Sequence, residues 1–121
     1  MTRRVVVTGV GLVSAVGVGT EETWRNLLAG KSGVAPITHF DTTGFSATIA
    51  AEVKGFDPLQ YVEKKDLKKM GLFIQFALAA SQFAMEQAQL KLTPQLADRT
   101  GVYIGSGIGG FDVIEREHTA L

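Results

Sequence analysis

The stretch Gly101–Gly110, reading GVYIGSGIGG, restricts the possible folds of this chain more than any other. Val102, Tyr103 and Ile104 are β-formers bounded by glycine, which predicts a short buried strand. Gly105 to Gly110 is so rich in glycine that the backbone can lie close against whatever it faces. Phe111 to Leu121 then reads as a helix. A strand that passes through a glycine turn into a helix is where α/β proteins place ligands, because open backbone and helix amides converge there.

The rest of the chain supplies α/β elements in order. Arg4–Gly9 is apolar on both faces, as expected of a strand in a sheet covered on two sides, and it runs into the turn Gly9-Val10-Gly11. Thr20 reads as an N-cap with Glu21 and Glu22 in the first helical turn. Trp24, Leu27 and Leu28 form an apolar stripe, and Gly30 ends the helix. Lys31–Thr43 has little periodicity and reads as a loop, Thr48–Val53 as a short strand, and Gly55–Pro58 as a turn before a brief helical segment through Tyr61.

The longest periodic run, Lys64 to Gln89, places Met70, Phe73, Ile74, Ala77, Ser81, Ala84, Met85 and Ala88 on one face. Gln75, Gln82, Glu86 and Gln89 fall on the other. The small residues in its later half predict close packing on a neighbour, and Gly71 marks a kink or a break into two helices. Thr93 and Pro94 read as the N-cap and first residue of one further turn.

The chain has 121 residues, and its last segment is helical in pattern without a terminating Gly, Asn or Pro. The expectation is a truncated portion of a larger domain. Twelve basic and twelve acidic residues leave no bulk charge to attract nucleic acid, and the absence of cysteine removes disulfides, thiolate metal sites and a cysteine nucleophile from this stretch. Thr8, Gly9, Gly11, Ser14 and Gly17 interrupt the apolar start too regularly for a secretory leader. No apolar run reaches the roughly 18 residues needed to span a membrane. A cytoplasmic protein is expected.

Gly105, Gly107 and Gly110 match G-x-G-x-x-G, a pattern that tight-turn packing, a non-nucleotide pocket and a dinucleotide site can all produce. Gly9-Val10-Gly11 lacks the third glycine of that pattern. Lys64-Lys65-Asp66-Leu67-Lys68-Lys69 concentrates cations at helical spacing, which suits either an anionic partner or a solvated face partly neutralised by Glu63 and Asp66. His39 and His118 have no ligand-spaced partners, so no metal site is assigned, and no group within these residues is assigned a catalytic role.

Three stretches together carry a family resemblance: Arg4–Gly11 with Ser14; Thr23–Gly33 with the His39-Phe40-Asp41 loop; and Ile104–Gly110 with Glu115 and His118. They resemble the amino-terminal portion of the β-ketoacyl-acyl-carrier-protein synthases, above all the type II elongating branch, over essentially the whole chain. The resemblance implies part of the N-terminal half of a thiolase-like fold, layered α-β-α-β-α, with residues 1–121 forming the N-terminal portion of the synthase N-terminal domain. It implies a homodimeric acyltransferase that joins an acyl chain to malonyl-acyl carrier protein with loss of carbon dioxide. The family's catalytic cysteine and two histidines have no counterpart here.

By the same resemblance Lys65, Lys68 and Lys69 dock the acidic carrier protein, Ile108 gates the deep end of the acyl pocket, and Gly107 lets it move. No cofactor, metal, nucleic acid or membrane is implied. One departure is Gly71, where the family commonly has an aspartate after the methionine of the docking helix; it bears on the local helix geometry and on an ion pair. A dinucleotide-binding oxidoreductase domain and a non-catalytic chain-length-type subunit are the alternatives.

Overall fold

The tightest packing in the molecule joins a glycine segment to a helix of small residues. The structure is a computed structural model and describes residues 2–121. The run expected over Lys64–Gln89 is two helices, α2 (Lys64–Leu67) and α3 (Leu72–Gln87), with Gly71 in extended conformation as the N-cap of α3. The break expected at Gly71 is therefore present. A β-carbon on Gly9 would meet the Ala84 carbonyl and the Ala88 amide nitrogen, and one on Gly11 would meet Ala80 and Ala84 backbone. This is the close neighbour that the small residues of the stripe predict. The Gln87 side chain accepts a hydrogen bond from the Val10 amide at 2.6 Å and pins the same segment.

One side-chain assignment on α3 is corrected. Gln75 was expected on the polar face, but it is buried, with Nε2 donating to the Met70 carbonyl at 3.1 Å. The interrupted helix leaves that carbonyl without a helical partner, and the amide satisfies it.

The glycine segment leads into a hairpin of β1 (Val13–Ser14) and β2 (Gly17–Val18), which packs on α1 (Thr20–Leu28). Thr20 is not the N-cap. Gly19 takes that position at φ 99°, a conformation that disfavours a side chain, and the Thr20 hydroxyl instead donates to the Val10 carbonyl at 2.8 Å. The Glu22 carboxylate reaches back to the Val18 amide at 3.0 Å. Glu21 and Glu22 do lie in the first turn, and Gly30 at φ 65° closes the helix, as expected. The buried face of α1 is polar: Thr23, only 3% exposed, donates to the Gly17 carbonyl, and Asn26 donates to that of Val16. The stripe of Trp24, Leu27 and Leu28 is exposed, each side chain keeping half or more of its surface open.

The expected loop Lys31–Thr43 contains a strand, β3 (Val34–Pro36), paired antiparallel with β4 (Ile49–Ala51) inside the strand expected over Thr48–Val53. Three residues that include a proline carry no periodic signal, and the strand exists through its pairing. Asp57 accepts from the Leu59 amide and starts the 3-10 turn Pro58–Gln60. Phe56 stacks on Tyr61 and meets Phe76 edge-on, while Tyr61 meets Phe83, so this turn is fastened across α3 by aromatic contacts. Thr93 caps α4 (Pro94–Ala97) with Pro94 at its start, and α5 (Phe111–Thr119) follows the glycine turn, both as expected.

Two of the strands expected, Arg4–Gly9 and Val102–Ile104, are not formed. Both segments lack ladder partners among the described residues; Val5 is 96% and Tyr103 100% exposed. Apolar sequence favours a strand but cannot supply the neighbouring backbone that a strand needs. Among the described residues only Val62 and Ala79 are buried apolar residues, and the accessible surface is 10048 Å². A self-contained monomer of this mass exposes about 6,300 Å², so these residues alone do not close a core. The mixed helix-and-strand character is nonetheless that of the expected α/β class.

Candidate functional site

Phe73, in the first turn of α3, stands between the lysine segment and the glycine turn. A β-carbon on Gly71 would lie 2.9 Å from its ring, one on Gly109 also 2.9 Å, and one on Gly110 3.1 Å. The ring thus occupies space left by glycines from two distant parts of the chain. The Gly71 β-carbon position is also 3.5 Å from Gly110 Cα. Glycine at 71 therefore has a packing role as well as breaking the helix, and an aspartate side chain there would be directed at the Phe73 ring. Nothing in the sequence singles out Phe73 beyond its place on the apolar stripe.

Beside this contact runs an apolar groove of about 450 Å³ between α3 and the segment 102–106. Phe73, Ile74 and Ala77 form one wall, and Val102, Ile104 and Gly105 the other. A larger depression of about 910 Å³ shares Leu78 and Ser81 with it and continues toward the end of α3, where Gln82, Glu86, Gln89 and Lys91 add polar groups to a lining that is still mainly apolar. The smaller groove is the better match to an apolar ligand, because its walls are almost wholly hydrocarbon and the glycine turn borders it.

Gly107 has open space where a side chain would stand, and the positive φ angles fall at Gly109 and Gly110, at 60° and 55°. Ile108 is 70% exposed and stands outside the groove lining. The left-handed conformation at Gly110 makes it the N-cap of α5, so the turn redirects the chain into that helix.

The lysines are brought together just before α3. Lys65 pairs with Glu63 at 2.7 Å and Lys69 with Asp66 at 2.9 Å. Lys64 and Lys68 are exposed, and among the described residues neither forms an ion pair. His39 lies 3.8 Å from Glu52, whose carboxylate accepts hydrogen bonds from Thr38 and from the His39 amide, and His118 lies on α5. Hydrogen bonds from the Thr38 hydroxyl and amide hold Glu52 below the usual carboxylate pKa. Among the described residues no three His, Cys, Asp or Glu side chains converge as a metal site, and no helix is long and apolar enough to cross a membrane.

Comparison with known sequences agrees with the condensing-enzyme resemblance: the chain belongs to the β-ketoacyl synthase family, matching its N-terminal domain over residues 2–120. It is similar to the 3-oxoacyl-(acyl-carrier-protein) synthase 2 proteins of Vibrio cholerae at 55% identity, Coxiella burnetii at 48% and Staphylococcus aureus at 41%. Each alignment covers 98% of this chain and 29% of the relative, so the chain spans less than a third of their length. The solved structure of the ishigamide ketosynthase/chain length factor is 43% identical with a TM-score of 0.65, over 71% of this chain and 21% of that one. The fold is therefore that of a thiolase-like ketosynthase fragment. Family membership also removes the support for a dinucleotide-binding domain.

Proposed function

We propose that these residues are the N-terminal portion of the N-terminal domain of a β-ketoacyl synthase that elongates fatty acyl chains. In the whole protein an acyl group carried on a cysteine is joined to malonyl-acyl carrier protein by decarboxylative Claisen condensation. The present residues contribute no nucleophile, as they contain no cysteine. Their part is to receive the carrier protein at Lys65, Lys68 and Lys69 and to border the acyl pocket at Gly107 and Ile108. The whole enzyme works as a cytoplasmic homodimer, without cofactor, nucleic acid or membrane.

The observation that carries this reading is the family match over residues 2–120, with relatives named 3-oxoacyl-(acyl-carrier-protein) synthase 2 at up to 55% identity. The exposed lysines support the docking role physically, because a cationic cluster steers an acidic partner into register. The groove beside the glycine turn supports the pocket role through its hydrocarbon walls.

The test is condensation by the full-length protein, supplied with acyl- and malonyl-acyl carrier protein, and by its Lys65→Glu/Lys68→Glu/Lys69→Glu variant. The expected result is 3-oxoacyl product from the first and weakened carrier binding with an unchanged fold in the second. Absence of product would defeat the enzymatic reading, and unchanged carrier affinity at low salt would defeat the docking reading. The likeness to a ketosynthase/chain length factor favours, as the second reading, a non-catalytic chain-length subunit. The residue at the family's cysteine position in the whole gene product separates the two.

A further inference from the structure

The four lysines before α3 are not equivalent. Lys65 and Lys69 are held by carboxylates of the same short segment, at 2.7 and 2.9 Å, whereas Lys64 and Lys68 have no acidic partner among the described residues. The two carboxylates also differ. The Glu63 side chain is 73% exposed, but that of Asp66 is only 31% exposed, so Asp66 is the more firmly placed of the two. Lys64 and Lys68 are one helical turn apart, with Lys68 at the C-cap of α2 in helical conformation.

We propose that Glu63 and Asp66 are built-in counter-ions that mask Lys65 and Lys69 until an acidic partner displaces them, and that Lys64 and Lys68 make the first contact. This rests on the carrier-docking reading and adds Lys64 to the docking residues. The physical argument is ion exchange at a surface. Two bare like charges one turn apart project the field that an approaching acidic helix feels at a distance. The paired lysines contribute little to that field, since each has its compensating charge within contact distance. Once the partner is seated, its carboxylates replace Glu63 and Asp66. Exposed ion pairs are weak enough for this exchange to proceed readily. The intramolecular pairs also discriminate against partners whose acidic groups are too sparse to compete.

Titration of the full-length protein with acyl carrier protein at low ionic strength tests this. Asp66→Asn and Glu63→Gln are each expected to tighten binding, by about two- to fivefold, the range set by an exposed ion pair, with the larger effect at Asp66. Asp98→Asn, an exposed site on another turn, changes net charge equally and is expected to leave affinity as in the wild type. Lys64→Ala is expected to weaken binding as much as Lys68→Ala and more than Lys65→Ala. Wild-type affinity in both Asp66→Asn and Glu63→Gln, equal tightening by Asp98→Asn, or no effect of Lys64→Ala would overturn the masking. Unchanged binding in the Lys65, Lys68 and Lys69 charge-reversal variant would overturn the docking reading itself.

Discussion

Gly11 faces the carbonyl of Ala80 on α3 at a separation that leaves no room for a β-carbon. The obstructing atoms are helix backbone and cannot swing aside as a flexible side chain would. Gly11→Ala in the full-length protein is therefore expected to destabilise by about 3 kcal/mol, the upper part of the usual range for overpacking. Urea unfolding of the parent and the variant measures the loss.

The Phe73 ring and Gly110 form a second steric pair. Gly110 sits at φ 55° and ψ 36°, and its β-carbon would lie 3.1 Å from the ring. Gly110→Ala is expected to lose about 1–2 kcal/mol from the left-handed backbone alone. The ring adds to this, so the loss should be smaller in a Phe73→Leu background. A double-mutant cycle measures the difference, and a coupling below about 0.5 kcal/mol would show that the ring yields freely.

The loop after β3 is held by Glu52. The Thr38 hydroxyl donates to its carboxylate at 2.7 Å, the Thr38 amide at 3.0 Å and the His39 amide at 3.3 Å. These bonds favour the charged form and keep its pKa low, with the Thr38 hydroxyl as the largest cause. The folded value is lower than the unfolded one, so the contribution to stability is present above the ordinary carboxylate range and is lost as pH falls through the folded value. Asp41 shifts in the same direction through its bonds from the Thr43 amide and hydroxyl. Unfolding measured over a series of acidic pH values should show a shallower decline in Glu52→Gln than in the parent, and the protection factors of the Thr38 and His39 amides, each rate being taken relative to its intrinsic value at the same pH, should fall as the parent is acidified.

Ile108 is the position at which the proposed pocket role can be tested by product length. Ile108→Trp in the full-length enzyme is expected to shift the products toward shorter acyl chains while leaving carrier affinity unchanged. An unaltered product profile, read by mass spectrometry, would remove Ile108 from the gate.

The signals legible in the sequence were those whose cause is local. The break at Gly71, the Thr93-Pro94 start, the closing Gly30 and the helix after Gly110 each depend on the conformational preference of one or two residues. Features set by distant partners were read less well. Gln75 looked like a surface residue until the unsatisfied Met70 carbonyl explained its burial, and Val34–Pro36 became a strand only opposite Ile49–Ala51. The same limit governs Val5–Val7 and Val102–Ile104, whose composition suits a sheet interior that these residues do not assemble. At the candidate site the lysine spacing was visible as a charge cluster. The contact of Phe73 with three glycines was not, because it joins α3 to a turn more than thirty residues away.

The bare backbone along Val5–Val7 and Val102–Ile104 also has a practical consequence. Amides and carbonyls that find no ladder at home recruit one from the next molecule, and valine-rich edges favour the recruitment. Prepared as a separate polypeptide, residues 1–121 are expected to coalesce into insoluble ribbons.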